Sequence, residues 1–216
     1  MKTKVTVIGL GSFGSTVALE LSRLGHDVLG IDSSAARTNA IADQITRAVT
    51  ADGRDERVLT ELGVHECDVV VVAIGEDIEA NIIIALIVKS MDKPRVWAKA
   101  LNHNHHRILE KLGVDHIVHP EHEMGLRVAR TLIYPEVLDY INLGDDQFIA
   151  EVRVSEGLAG KTISALNLQE CKVQCLLVKH LANITSPVLP NHTFGLGDQI
   201  VLLGALPNLR KVSKFL

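Results

Sequence analysis

Three glycines placed between an apolar strand and an amphipathic helix constrain this fold more than any other feature. They are Gly9, Gly11 and Gly14 in "VTVIGLGSFGSTVALEL", with the spacing G-x-G-x-x-G. In a strand–turn–helix unit the first glycine permits a tight turn and the second lets a diphosphate approach the backbone. The third lets the helix pack close to the strand, and the helix N-terminus offers free N–H groups to an anion. The pattern predicts a nucleotide-binding βαβ unit.

An acid ends the next predicted strand, in "DVLGID", at Asp32. A carboxylate there can accept hydrogen bonds from both ribose hydroxyls and would repel a 2′-phosphate, which disfavours NADP. The glycines and the acid do not by themselves distinguish NAD from ATP, ADP or AMP. The alternative is a structural turn that has lost its ligand.

Strands alternate with helices from Met1 to about Pro120. The predicted strands are Val5–Gly9, Val28–Asp32, Ala48–Ala51, Cys67–Gly75, Arg95–Ala100 and Asp115–Pro120. The predicted helices are Phe13–Leu24, Ala35–Ile45, Arg57–Leu62, Asp77–Met91 and His106–Leu112. With 47% hydrophobic and 3% aromatic residues the core must be aliphatic, as in buried parallel sheets. The fold class is therefore α/β, a doubly wound parallel Rossmann-like sheet.

The pattern changes after residue 120. "HEMGLRVARTLIYPEVLDYI" has a helical period until Pro135 interrupts it, which predicts a crossover helix and linker over residues 121–146. "FIAEVRV", "VQCLLVKH" and "QIVLLG" are short β runs, "LAGKTISALNL" contains a short helix, and "FGLGD" is a tight turn. Residues 147–216 are thus predicted to form a small C-terminal α+β domain, after an N-terminal domain over residues 1–120.

Residues at the carboxyl ends of the other strands complete the predicted pocket, because ligands of doubly wound sheets bind at that edge. Asp52 would lie near an adenine, and Lys99 is a candidate phosphate contact, although each could equally be a solvated loop residue. The predicted nucleotide-binding residues are Gly9, Gly11, Ser12, Phe13, Gly14, Asp32, Ser33, Asp52, Ala73, Ile74, Gly75 and Lys99.

Several classes of protein are disfavoured. The chain has no Tyr-x-x-x-Lys pair and no Ser/His/Asp signature, so we expect no enzyme. A net charge of −4 without a basic cluster argues against nucleic-acid binding. The longest apolar run, about Ile82–Val88, is too short to span a bilayer, and the three cysteines fit a reduced cytosolic protein. Six histidines between His103 and His122 leave a transition-metal site as an alternative to solvated surface residues.

The chain resembles the Ktr/Trk-type cytosolic regulators of bacterial potassium uptake, whose domain is called RCK. The resemblance rests on the glycine turn, Asp32, "DVVVVAIGEDIEANIIIALIVK", "VWAKA", "LGVDHIVHPEHEMGLRVAR" and "LAGKTISALNL…GLGDQIVLLG", and it covers essentially the whole chain. The segment "HPE-x-x-MG" is its most specific piece. One N-terminal half and one C-terminal half correspond to the short KtrA type.

The resemblance implies a regulatory subunit that binds ATP or ADP, or in some members NAD(H). It implies a homo-oligomer, a dimer-based octameric ring, beneath a membrane K⁺-translocating subunit, and hence a cytoplasmic location at the inner face of the membrane. Ligand-dependent changes in the ring would gate the pore. Glycines 9, 11 and 14 and Asp32 carry over as the nucleotide site, Asp52 as an adenosine contact, and Glu121 as the "HPE" glutamate that in some members coordinates Mg²⁺ or Ca²⁺. A solvated surface glutamate is the alternative for Glu121.

One residue departs from the family pattern. Ser12 stands where Ktr-type members commonly carry an arginine, which leaves the preferred nucleotide open because an arginine can hold a terminal phosphate with two hydrogen bonds. Cyclic di-AMP, which some members bind, would correspond to Lys179, His180, Asn183 and Pro187. An NAD(H)-sensing regulator and a small NAD-dependent oxidoreductase remain the alternative functions.

Overall fold

A parallel sheet organises the first half of the chain. Its strands are β1 (Lys4–Ile8), β2 (Asp27–Asp32), β3 (Arg47–Thr50), β4 (Val69–Val72), β5 (Arg95–Lys99) and β6 (His116–Val118). Their order in the sheet is β3-β2-β1-β4-β5-β6. The structure is a computed structural model that describes residues 2–133 and 137–213. The chain divides into two units, Met1–His122 and Glu123–Leu216, which are described separately.

Helices connect these strands. They are α1 (Ser12–Arg23), α2 (Ala35–Ile41), α3 (Glu56–Glu61), α4 (Ile78–Lys89) and α5 (His103–Lys111), with a short 3-10 helix at Val64–Glu66. The predicted helix after β2 was too long, since α2 ends at Ile41. The predicted start of α5 was too late, because Asn102 caps this helix by accepting a hydrogen bond from the His105 N–H at 2.9 Å.

Aliphatic residues of the central strands form the core of the first unit. Val7, Val70, Val72 and Val96 are fully buried. Strands that are covered by helices on both faces bury their side chains on both faces, which is why β4 reads as an unbroken run of valines. The aliphatic core expected from the composition is thus present.

An antiparallel sheet forms the second unit. It follows α6 (Pro120–Ile133) and comprises β7 (Val137–Gly144), β8 (Gln147–Arg153), β9 (Gln174–His180), β10 (Asn183–Thr185) and β11 (Gln199–Ala205), before α7 (Leu206–Ser213). The strand order is β10-β9-β11-β8-β7. Leu209 and Val212 of α7 belong to the same core as Phe148 and Ile200 of the sheet. The predicted fold class, a Rossmann-like sheet with a small α+β domain, is confirmed.

The crossover segment contains both a helix and a strand. Helix α6 ends at Ile133, and in the part predicted as linker β7 pairs antiparallel with β8. Asp145 and Asp146 form the turn between them with φ of 47° and 58°, the geometry of a tight two-residue hairpin. Pro135, predicted to interrupt the helix, lies outside the described residues. Within the described parts of the chain, no helix has the length and apolar character needed to cross a membrane.

Candidate nucleotide-binding site

A cavity of about 520 Å³ opens in the first unit beside the glycine turn. It lies where the order of the sheet reverses around β1, the position at which doubly wound sheets bind ligands. The predicted residues that line it are Gly9, Gly11, Ser12, Phe13, Asp32, Ser33, Asp52, Ala73, Ile74, Gly75, Lys99 and Glu121. Gly14 is buried behind the turn. The structure thus brings the predicted residues together, while their role in binding stays a prediction.

Different physical reasons explain why glycine occupies each of the three positions in the turn. Gly9 has φ +95°, which disfavours any other residue, and a Cβ on Gly14 would lie 1.9 Å from the Gly9 carbonyl oxygen. Gly11 has no such constraint, because a Cβ there would meet nothing within 4 Å. The protein's own packing therefore explains Gly9 and Gly14 but not Gly11. A phosphate approaching the backbone would use the space that Gly11 leaves open.

The first turn of α1 faces the same cavity. Gly11 is its N-cap, no side chain caps the helix, and no acidic residue lies in the first turn. The N–H groups of the first turn have no partners within the helix, and the macrodipole adds a partial positive charge there. This end of α1 is suited to a diphosphate.

Asp32 is fixed by hydrogen bonds to backbone. Its Oδ2 accepts from the Leu10 N–H at 2.7 Å and its Oδ1 accepts from the Ser34 N–H at 2.8 Å. Arg37 adds a longer contact, with Nη1 at 3.4 Å from Oδ2. Each carboxylate oxygen has two acceptor positions, so Asp32 can still accept hydrogen bonds from ribose hydroxyls.

Asp52 lies on the cavity rim and is paired. The Arg54 guanidinium donates to it, with Nη2 at 2.7 Å from Oδ2 and Nε at 3.0 Å from Oδ1. These hydrogen bonds hold the pKa of Asp52 below its usual range. Sequence reasoning missed Arg37 and Arg54, because neither belongs to a motif and each reaches the cavity through a long side chain.

Lys99 and Glu121 form an ion pair at another part of the cavity wall. The Lys99 side chain is only 10% exposed, and a Cβ added to Gly75 would lie 2.6 Å from its Nζ. The ammonium group therefore lies close to Gly75 in the loop after β4. The hydrogen bond from Lys99 lowers the pKa of Glu121.

Asn81 of α4 joins the ends of two strands. It is fully buried, and its Nδ2 donates to the carbonyl oxygens of Ile74 at 2.6 Å and Lys99 at 3.1 Å. It therefore fixes the loop after β4 relative to β5, where the cavity-lining residues Gly75 and Lys99 lie. Sequence reasoning missed it, although it is a polar residue within the apolar run "ANIIIALIV".

Comparison with known proteins decides the family. Residues 5–120 match the TrkA-N domain. The chain is 38% identical over 207 residues to the Ktr system potassium uptake protein A of Bacillus subtilis, covering 95% of this chain and 93% of that protein. The chain belongs to the Ktr potassium uptake protein A family. The resemblance inferred from the motifs is confirmed.

Solved structures show the same fold. The GsuK RCK domain aligns with a TM-score of 0.68 and 19% identity over 100% of this chain and 48% of that chain. The GsuK channel bound to NAD aligns with a TM-score of 0.65 and 17% identity over 100% of this chain and 39% of that chain. This chain thus spans about half or less of those longer chains, and an RCK fold accounts for its whole length.

The histidines of this Ktr-family chain form a small network rather than a metal cluster. His106 Nδ1 and His119 Nε2 lie 2.9 Å apart, and their ring centroids lie 5.1 Å apart, so the two rings meet edge to edge through an N–H···N hydrogen bond. His105 is buried and its Nδ1 accepts from the Leu101 N–H at 3.2 Å. Burial, and then the neighbouring His119, lower the pKa of His105. Among the described residues, no three His, Cys, Asp or Glu side chains form a metal-binding group.

The residues proposed for a cyclic dinucleotide lie around one hairpin of the second unit. Lys179 and His180 end β9, and Asn183 of β10 pairs directly with His180. Pro187 is exposed in the segment after β10. His180 Nδ1 lies 2.5 Å from the buried Asp198 Oδ1, which fixes the ring. Binding of cyclic di-AMP at this hairpin stays a prediction.

Proposed function

We propose that this chain is the regulatory nucleotide-binding subunit of a potassium uptake system. A nucleotide in the cavity beside Gly11 would change the shape of a homo-oligomeric ring, and the ring would gate a membrane K⁺-translocating subunit. The observation that carries the proposal is Gly11, a glycine that neither backbone conformation nor packing explains, in a cavity that also holds the fixed carboxylate of Asp32. The match to a Ktr system protein over nearly the whole chain supports the potassium-uptake role.

Different residues of the cavity would bind the sugar and the phosphates of the ligand. Asp32 would accept hydrogen bonds from the ribose, and the first turn of α1 with Lys99 would hold the phosphates. ATP and ADP are the proposed ligands. NAD(H) is the alternative, which the NAD-bound GsuK channel supports through its similar fold. Ser12 begins α1 and is exposed. Its hydroxyl is neutral, so it supplies no charge to a terminal phosphate.

A ligand regulates only by binding two conformations unequally. Helix α6 starts at Pro120, next to the cavity-lining Glu121, and continues to Ile133 in the second unit. Met124, Val128 and Leu132 on this helix are exposed apolar residues. We propose that they pack against a partner subunit in a dimer-based octameric ring at the inner face of the membrane. A change at the cavity would then reach the ring interface along one helix.

Two further ligands belong to the proposal. Glu121 would contribute one carboxylate oxygen to a Mg²⁺ or Ca²⁺ ion, and the other ligands would have to come from phosphates or a partner subunit, since the described residues provide no cluster of three. Cyclic di-AMP would bind near His180 in the second unit.

The test combines binding and transport. Thermal-shift titration with ATP, ADP, AMP, NAD⁺, NADH and cyclic di-AMP should raise the melting temperature for the true ligand, because a ligand at about 100 times its Kd stabilises the folded state by about 2.7 kcal/mol. Co-expression with a Ktr-type membrane subunit in a bacterium that lacks K⁺ uptake should restore growth at low K⁺ only when this chain is present. Growth that is independent of this chain, together with no thermal shift by any nucleotide, would overturn the proposal.

A further inference from the structure

We propose that a phosphate of the bound ligand and the carboxylate of Glu121 compete for the ammonium group of Lys99, so that phosphate binding releases Glu121 and the first turn of α6. This inference rests on the proposed function, because it requires an anionic ligand in the same cavity. It adds a way in which the ligand acts on the protein.

The ammonium group of Lys99 has little room around it, because the Lys99 side chain is only 10% exposed. Lys99 carries three N–H donors, and its one described hydrogen bond goes to Glu121. The group lies close to Gly75, since a Cβ there would lie 2.6 Å from Nζ and 3.2 Å from Cε. Lys99, Gly75 and Glu121 all line the cavity. With Gly75 close to the ammonium group, a ligand phosphate would have to approach it where Glu121 now binds.

The other cations of the cavity wall are engaged elsewhere. Among the described residues that line it, Arg37 pairs with Asp32 and Arg54 pairs with Asp52. Lys99 is the buried one of the three cations, and its partner is an exposed carboxylate, with 65% of the Glu121 side chain open to solvent. An exposed carboxylate regains its hydration when released, and an ion pair with an exposed partner contributes little stability. A phosphate carries more charge and more acceptor oxygens, so it is the stronger partner for Lys99.

The release would loosen the start of α6. Glu121 follows Pro120, the first residue of the helix, and its carboxylate ties this turn to β5 through Lys99. The ion pair with Lys99 is the described side-chain contact from Glu121 to the sheet, so breaking it would remove this link. The phosphate then acts on the protein by removing a restraint on α6.

The inference is tested in EDTA, without divalent ions, by calorimetric titration with ADP and with adenosine. Glu121→Gln should tighten ADP binding by about 3- to 10-fold and leave adenosine binding unchanged, because only the phosphate competes with Glu121. The matched control is Glu123→Gln, an exposed glutamate of the same helix, which should leave both affinities unchanged. Lys99→Met should weaken ADP binding at least tenfold and leave adenosine binding unchanged. Unchanged or weaker ADP binding by Glu121→Gln would overturn the inference.

A double variant separates competition from simple charge repulsion. In the Lys99→Met background, Glu121→Gln should no longer affect ADP affinity, since the contested group is gone. If Glu121→Gln tightens ADP binding equally in both backgrounds, Glu121 only repels the phosphate and the inference is wrong.

Hydrogen exchange gives the second readout. ADP should speed amide exchange in the second turn of α6 in the wild type, because its N–H groups donate to carbonyl oxygens of the first turn, and Glu121→Gln should show the faster exchange without ADP. Slower exchange in this turn with ADP would contradict the release. If the wild type binds neither ADP nor adenosine, both the proposed function and the inference fail; if it binds them but the variants have no effect, only the inference fails.

Discussion

The two ends of the cavity use opposite arrangements of charge. At one end the acid is buried and the base exposed, with 4% of the Asp32 side chain and 56% of the Arg37 side chain accessible. At the other end the base is buried and the acid exposed, with 10% for Lys99 and 65% for Glu121. Asp32 is also held by two backbone N–H groups, whereas the described hydrogen bond of the Lys99 ammonium goes to Glu121. In the proposed function the first end would be preformed for a neutral sugar, and the second would exchange its partner.

The largest change in ligand affinity is expected from a substitution of Asp32, at the end of the cavity where backbone N–H groups hold the carboxylate. Asp32→Asn should weaken binding of both ADP and adenosine by roughly 100-fold, because hydrogen bonds to a charged group contribute about 1.5–3 kcal/mol and the ribose would lose a charged acceptor. Calorimetric titration measures both affinities. Asp43→Asn, an exposed acid outside the cavity lining, is the control and should bind as the wild type does. Wild-type affinity in Asp32→Asn would place the ribose elsewhere.

A smaller effect is expected where the glycine turn meets the phosphates. Gly11→Ala should weaken ADP binding about tenfold, equivalent to about 1.4 kcal/mol, with little change in melting temperature, because its Cβ would stand in open space. Gly125→Ala, where a Cβ also meets nothing within 4 Å, should leave binding intact. Gly14→Ala should instead lower the free energy of unfolding by about 1–3 kcal/mol through overpacking. Equal ADP affinity in Gly11→Ala and wild type would show that no phosphate approaches this backbone.

The smallest expected effect concerns pH at the exchangeable end. Hydrogen bonding from Lys99 lowers the folded-state pKa of Glu121 below its value of 4.5 in an unfolded chain. The stabilisation is therefore fully present above pH 4.5 and is lost as the pH falls through the lower folded-state pKa. The difference in melting temperature between wild type and Glu121→Gln should be small near neutral pH, since the glutamate is exposed, and should shrink further in acid. A difference that grows as the pH falls would mean that Glu121 is not stabilised as a carboxylate.

Most of the first unit could be predicted from sequence because its signals are local. Apolar runs separated by helical periods predict each strand of the parallel sheet, and the glycine spacing locates the turn at its edge. The second unit was harder. Met124, Val128 and Leu132 repeat with a helical period, but the residues after Pro135 were predicted as linker. Strand β7 was missed there because its pairing with β8 depends on the turn at Asp145 and Asp146.

The cavity residues likewise fall into those that the sequence predicts and those that it does not. Backbone-determined residues such as Gly9 and Asp32 follow from motif spacing. Arg37, Arg54 and Asn81 do not, because their contacts depend on how far a side chain reaches from one element to another. The pairing of Lys99 with Glu121 likewise joins β5 to α6, and two residues that are each plausible ligand contacts in the sequence turn out to bind each other.

Asn81 fixes one wall of the cavity. By joining the Ile74 and Lys99 carbonyls, it prevents the loop after β4 and the end of β5 from separating. If a ligand releases Glu121 as proposed, the wall that Asn81 fixes would stay in place and the displacement would go to the side of α6. The direction of the response would then be set by a buried amide that lies behind the cavity lining.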